Sequence, residues 1–216
     1  VVTKSSRPLN EFPVIVRYND AVSIIRKVLS QNEISITTII SPLMPFGMST
    51  NYRGKREISK ENYITLHASN GVSYIKKDEV TNGLNILDKY KVMISKTSAE
   101  HAGEPGKDGK FRVLTSSIKV LKPLEVCTHS YFVIGSYEEE KQAINLLSYL
   151  RTKFVRFLIL QSMSSINLSK LVFSFVPIQD FNHDWNDDML IMKYNLNENE
   201  VKFIETMIRP MGEENE

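Results

Sequence analysis

Two short runs concentrate the residues that could contact a phosphate or a base edge. The first, PFGMSTNYRGKR (45–56), sets Arg53, Lys55 and Arg56 beside Asn51 and Tyr52. The second, HAGEPGKDGKFR (101–112), carries Lys107, Lys110 and Arg112 among Gly103, Gly106 and Gly109, with His101 at its start. Glycine bares backbone N–H groups, and Lys and Arg reach outward on flexible stems, so such loops suit phosphate oxygens. Arg adds a planar fork that can bond guanine O6 and N7 together. Lys107 and Lys110 are therefore the phosphate candidates of the second run, and Arg112 is its base-edge candidate. The glycines lead us to expect a mobile loop that orders on its ligand, at a cost in conformational entropy. His101 could donate to either kind of acceptor, or be a plain polar residue where the loop begins. An exposed connector with no ligand also explains either run alone. Both falling in one basic half of the chain favours binding.

Motifs for catalysis are missing. No G-x-G-x-x-G follows a strand, and GEPGKDGK lacks both the spacing of a phosphate-binding Walker loop and the hydroxyl that follows it. There is no G-x-S-x-G and no H-E-x-x-H. His67, His101, His129 and His183 are scattered, without a second ligand at metal spacing. HDWNDD (183–188) reads as an acidic turn before a helix rather than a metal site. Glu139-Glu140-Lys141 mimics the E-x-K of metal-dependent nucleases, but no Pro-Asp precedes it and a helix start explains it better. The single cysteine, Cys127, excludes an internal disulfide, fits a reducing cytoplasm, and reads as a buried inert thiol. We therefore assign no catalytic residue, no metal and no cofactor to the chain itself.

The 216 residues are 42% hydrophobic and 24% charged, an ordinary globular composition. No apolar run of about 18 residues could span a membrane. The start VVTKSSRPLN has no initiator methionine and no signal-peptide pattern, which suggests a domain cut from a longer polypeptide. The net charge of +2 hides an asymmetry. Residues 50–122 hold 14 Lys and Arg against 8 Asp and Glu, net +6; residues 176–216 hold 3 against 10, net −7. This fits a polyanion held on one side, or chance clustering on a solvated surface.

The elements that must carry these loops can be read from periodicity. NDAVSIIRKVLSQ (19–31) has a polar cap and helical apolar spacing. ISITTII (34–40), YKVMIS (90–95), SSIKVL (116–121) and KLVFSFVPI (170–178) read as strands, the last stopped by Pro177. NYITLHAS and VSYIKK flank Asn70-Gly71, the strongest hairpin signal in the chain. EVCTHSYFVIG (125–135) reads as one long buried strand. Ser136 and Glu139 then have capping-box spacing, and Ala143, Ile144, Leu147, Leu150, Phe154, Phe157 and Leu158 recur every three or four residues. That predicts one long amphipathic helix over 138–162, packed on the strand before it, with Arg151, Lys153 and Arg156 off its apolar stripe. Asp187 or Asp188 caps a short helix, and Asn197 with Glu200 opens a last one. The fold class expected is α+β, with a mixed or antiparallel sheet, a long helix and C-terminal helices. Residues 1–40 form an N-terminal linker and helix segment, and 41–216 the main domain.

Several blocks then point to a family. PFGMSTNYRG, YKVMISKTSAEHAGEPGKDGKFRVL, VCTHSYFVIGSYEEEKQAINLLSYLRTKFVRFLI, FSFVPIQDF and FIETMIRPM, in this order and spacing over residues 41–211, resemble the C-terminal part of adenine-N6 DNA methyltransferases of bacterial restriction–modification systems. The resemblance implies a target-recognition domain that binds double-stranded DNA. Its other partner would be the catalytic methylase domain of the same polypeptide, in which S-adenosylmethionine is the cofactor. Some such polypeptides also carry an endonuclease. The family's cofactor motif and its Asn-Pro-Pro-aromatic motif are both missing here. Only Pro45-Phe46 is a Pro-aromatic pair, and no Asn-Pro precedes it. Asn51, Tyr52, Arg53, Lys55, Arg56, Lys107, Lys110 and Arg112 are the DNA-contact candidates. The alternative is a subunit-docking domain whose acidic tail is the docking face; a nuclease with a degenerate site has little support.

Overall fold

The structure is a computed structural model. It describes residues 6, 8, 10–57, 62–97, 104–114, 118–163 and 168–211. Its elements in order are α1 (Val22–Ser30), β1 (Tyr63–Ala68), β2 (Gly71–Lys76), α2 (Leu84–Leu87), β3 (Tyr90–Ser95), β4 (Ile118–Leu121), β5 (Glu125–Cys127), β6 (Tyr131–Tyr137), α3 (Glu140–Arg151), α4 (Lys153–Ser162), α5 (Asp187–Lys193) and α6 (Glu198–Met207). The class is α+β, built from two small sheets and several helices. Among the described residues no helix is long and apolar enough to cross a membrane.

One sheet has strand order β2-β1-β5 and the other β4-β3-β6. β1 pairs antiparallel with β2 and parallel with β5, whereas β3 pairs antiparallel with both neighbours. The second sheet is buried on both faces, and its alternating residues show why. Val92, Ile94, Phe132 and Ile134 face the larger core with α1, α3, α4 and α6. Met93, Leu121 and Val133 face a smaller core shared with Ile64, Leu66, Ile75 and Val126 of the first sheet.

The hairpin forms where the sequence placed it, with a shifted turn. Ala68 pairs with Gly71, so Ser69-Asn70 is the loop, and Gly71 at φ 116° takes the conformation only glycine adopts freely. β3 occupies the span read from the sequence, and Asn197 and Glu200 close a reciprocal capping box on α6. α1 follows a 3-10 turn over Asn19–Ala21.

Other expectations are corrected. EVCTHSYFVIG is two strands in two different sheets, because Thr128–Ser130 turns the chain and Thr128 O accepts from Tyr131 N at 3.2 Å. The long helix is two helices. Thr152, at φ −58° and ψ 149°, breaks the α-helical backbone, and its hydroxyl accepts from Val155 N to cap α4. Arg156 lies inside rather than off the stripe: it is 2% exposed and its side chain donates to the carbonyls of Arg151, Thr152 and Arg209, which flank the break and the end of α6. Leu147 is only partly buried; Leu146 sits in the core in its place. Ile144, read as part of the stripe, is 49% exposed. Ser136 belongs to β6, and Glu139 stands at the helix start without a side-chain cap.

The segments read as strands at 34–40 and 170–178 form 3-10 turns, Ile36–Ile39 and Lys170–Phe173, joined by an isolated bridge between Ser35 and Pro177. A proline cannot donate to a ladder, and Val172, Phe173, Phe175 and Val176 are all buried, a pattern with no free polar face. Asn186, not an aspartate, caps α5. Asp187 instead accepts from the N–H groups of Lys153 and Phe154 and caps α4 across the fold. Ser116 and Ser117 lie outside the described residues.

Candidate nucleic-acid interface

The first basic loop is held by its own polar residues. Lys55 exchanges both backbone hydrogen bonds with Tyr74 of β2, at 2.8 and 2.9 Å. Tyr52 donates its hydroxyl to Glu79, whose other oxygen accepts from Lys76 N at 2.8 Å. The Glu79 carboxylate pushes the Tyr52 hydroxyl up to about 12, and that hydroxyl in turn holds Glu79 below the usual carboxylate range. Lys55 Nζ donates to Tyr63 Oη at 3.0 Å, and Arg53 donates to the carbonyls of Thr50 and Tyr52, both at 2.8 Å. Of the five candidates here, Tyr52 thus pins the loop, Lys55 and Arg53 do so in part, and Arg56 and Asn51 are exposed. Arg53 and Lys55 are exposed as well, so three cations project from a loop with a fixed backbone.

The second run differs from expectation. Its described part, 104–112, is a tight turn and not an open loop. Pro105 bridges Phe111, Gly106 N donates to Lys110 O at 2.8 Å, and Gly109 reverses the chain at φ 76°. Buried Phe111 then clamps the turn to the end of α6: its N–H donates to Met207 O at 2.7 Å, and its carbonyl accepts from Arg209 N at 3.1 Å. Asp108 lies 3.6 Å from the Arg209 guanidinium. Lys107 and Arg112 are exposed and Lys110 is partly buried. His101 and Gly103 lie outside the described residues. The two runs do not share a core: Phe111 packs in the larger cluster, Phe46, Met48 and Tyr52 in the smaller.

Spacing alone could not reveal the surroundings of the Thr128–Ser130 turn, where His129 meets the first loop. His129 N donates to Met48 O at 2.9 Å, and Thr50 Oγ1 lies 3.4 Å from His129 Nδ1. Lys96, just past β3, donates its N–H to Ser130 O at 2.9 Å. Its ammonium is 4.8 Å from the Phe132 ring centre. Lys96 Nζ, Thr128 Oγ1 and Ser130 Oγ are covered from solvent and meet no hydrogen-bond partner among the described residues. Burial lowers the Lys96 ammonium's proton affinity, and burial with the Lys96 charge lowers that of His129. The only clue in the sequence was Thr-His-Ser between two apolar strands.

Two further features bear on chemistry. A cleft of about 710 Å³ is lined by residues such as Ser41, Met44, Asn82, Asn85 and Tyr137, and by no Asp, Glu, His, Lys or Arg. It does not fit S-adenosylmethionine, whose cationic centres call for an acidic partner. Cys127 is buried and its thiol is pushed up to about 12 by burial. Among the described residues no group of His, Cys, Asp and Glu could hold a metal ion. Compared with known proteins, the chain matches no family profile, no curated protein and no solved structure.

Proposed function

We propose that this chain recognises double-stranded DNA as the target-recognition part of an adenine-N6 methyltransferase of the restriction–modification type. The observation that carries the reading is the projection of Arg53, Lys55 and Arg56 from a loop fixed to the β1–β2 hairpin, with His129 bonded to Met48 behind it. Fixing the backbone in advance lowers the ordering cost of each phosphate or base contact. The resemblance over residues 41–211 supplies the duplex as ligand, and assigns methyl transfer and S-adenosylmethionine to the polypeptide's methylase domain. The isolated chain therefore transfers no methyl group. Fluorescence anisotropy with a labelled duplex tests this: affinity should fall steeply with salt, and Arg53→Ala/Lys55→Ala/Arg56→Ala should flatten the slope by about three phosphate contacts. An unchanged slope in the triple variant contradicts the reading.

Docking of a second protein surface is the other reading. It is favoured by exposed Leu43 and Leu84, at 66% and 61%, next to the uncharged cleft. Partner binding that persists while duplex binding is absent would select it.

A further inference from the structure

We infer that Glu79, an acidic residue, positions the first basic loop for DNA by clamping Tyr52. The inference rests on the DNA reading of that loop. Both ends of the loop are tied through the backbone. At one end Met48 O accepts from His129 N at 2.9 Å, and at the other Lys55 exchanges two hydrogen bonds with Tyr74. Gly54 fits there because a Cβ would meet Tyr74 O at 2.5 Å. Between these ties residues 49–53 turn outward, with Tyr52 N donating to Ser49 O at 3.1 Å. Among the described residues, only two side chains of this span hydrogen-bond to another part of the fold: Thr50, 3.4 Å from His129 Nδ1, and Tyr52, which donates to Glu79. Glu79 is a firm post. It ends the 3-10 turn Lys77–Glu79 after β2, its other oxygen accepts from Lys76 N at 2.8 Å, and the adjoining Val80 is buried in the smaller core. Tyr52 in turn sets Arg53, whose guanidinium donates to the carbonyls of Thr50 and Tyr52, both at 2.8 Å. The clamp therefore fixes how Arg53 leaves the loop, and a guanidinium held in advance loses less freedom on meeting a phosphate or a base edge. The Tyr52 hydroxyl is spent on Glu79, so Tyr52 acts through the clamp and not by touching DNA. Charge alone has the opposite sign: Glu79 acts on Lys55 through space, and an anion beside DNA-binding cations repels phosphate.

The test is duplex anisotropy against salt on wild type, Glu79→Ala, Glu79→Gln, Tyr52→Phe and Tyr52→Phe with Glu79→Ala, together with amide hydrogen exchange of residues 49–53 in the free chain. Glu79→Ala should weaken duplex binding by about threefold to tenfold, the range one hydrogen bond supplies, and keep the wild-type salt slope because the same cations meet the phosphates. Glu79→Gln should bind at least as tightly as wild type, since its amide can still bond Lys76 N and the Tyr52 oxygen while the anion is gone. Tyr52→Phe should weaken binding as Glu79→Ala does, and the double variant should lose no more than either. Exchange at 49–53 should quicken in Glu79→Ala and Tyr52→Phe but not in Glu79→Gln. Equal or tighter binding by Glu79→Ala, additive losses in the double variant, or unchanged exchange overturns the inference and leaves the DNA reading standing. A wild-type chain that binds no duplex overturns the DNA reading and the inference with it.

Discussion

Cys127 shows how much a single residue's surroundings decide. Burial raises its thiol from 9.0 to about 12, so the folded chain keeps the proton while the unfolded chain loses it from about pH 9. The thiol's contribution is therefore full below pH 9 and is lost as pH rises towards 12. Wild type should lose stability relative to Cys127→Ala between pH 8 and pH 11 in urea titrations, and a constant gap would contradict the burial. The native thiol should also resist Ellman's reagent until the chain unfolds. An inert cysteine was legible in the sequence, since Cys127 sits in an apolar run. The roles of Lys91, Lys96 and Arg156 were not, because a Lys or Arg reads as surface until tertiary contacts bury it. Arg156 interrupts an apolar cluster, and only the Thr152 break explains why a guanidinium belongs there.

At the scale of elements, the α3–α4 junction is the most informative feature. Thr152→Ala should cost about 0.5–2 kcal/mol through loss of the α4 cap. Leu146→Ala should cost about 2–5 kcal/mol, and Leu147→Ala clearly less, because only Leu146 is fully buried. Equal costs in denaturant unfolding would contradict the observed helix face. Local signals succeeded where chemistry is local: the hairpin at Gly71, β3, and the box at Asn197 and Glu200. They failed where long-range contacts decide. Periodicity runs through Thr152 because the helices on either side face one core, and the break shifts the register that periodicity assumed. Thr128–Ser130 was absorbed into one strand because apolar residues flank it on both sides, although those residues enter different sheets.

For the whole molecule, charge placement matters more than net charge. Lys91 is fully buried, so the basic span 50–122 presents fewer cations than it contains. The projecting cations divide between a loop over the smaller core and a turn clamped to α6, and these sites should act separately. Lys107→Ala with Lys110→Ala should change duplex affinity less than Arg53→Ala with Arg56→Ala, since Lys110 is partly buried; the reverse order in anisotropy would move the interface to the α6 end. The most direct measurement is selection of bound duplexes from a pool of randomised sequences by the chain, repeated at rising salt. Recognition requires enrichment of one short motif that survives at salt concentrations where bulk duplex binding is lost. A pool that stays random at every salt concentration, or no retained duplex at all, would contradict sequence-specific DNA recognition.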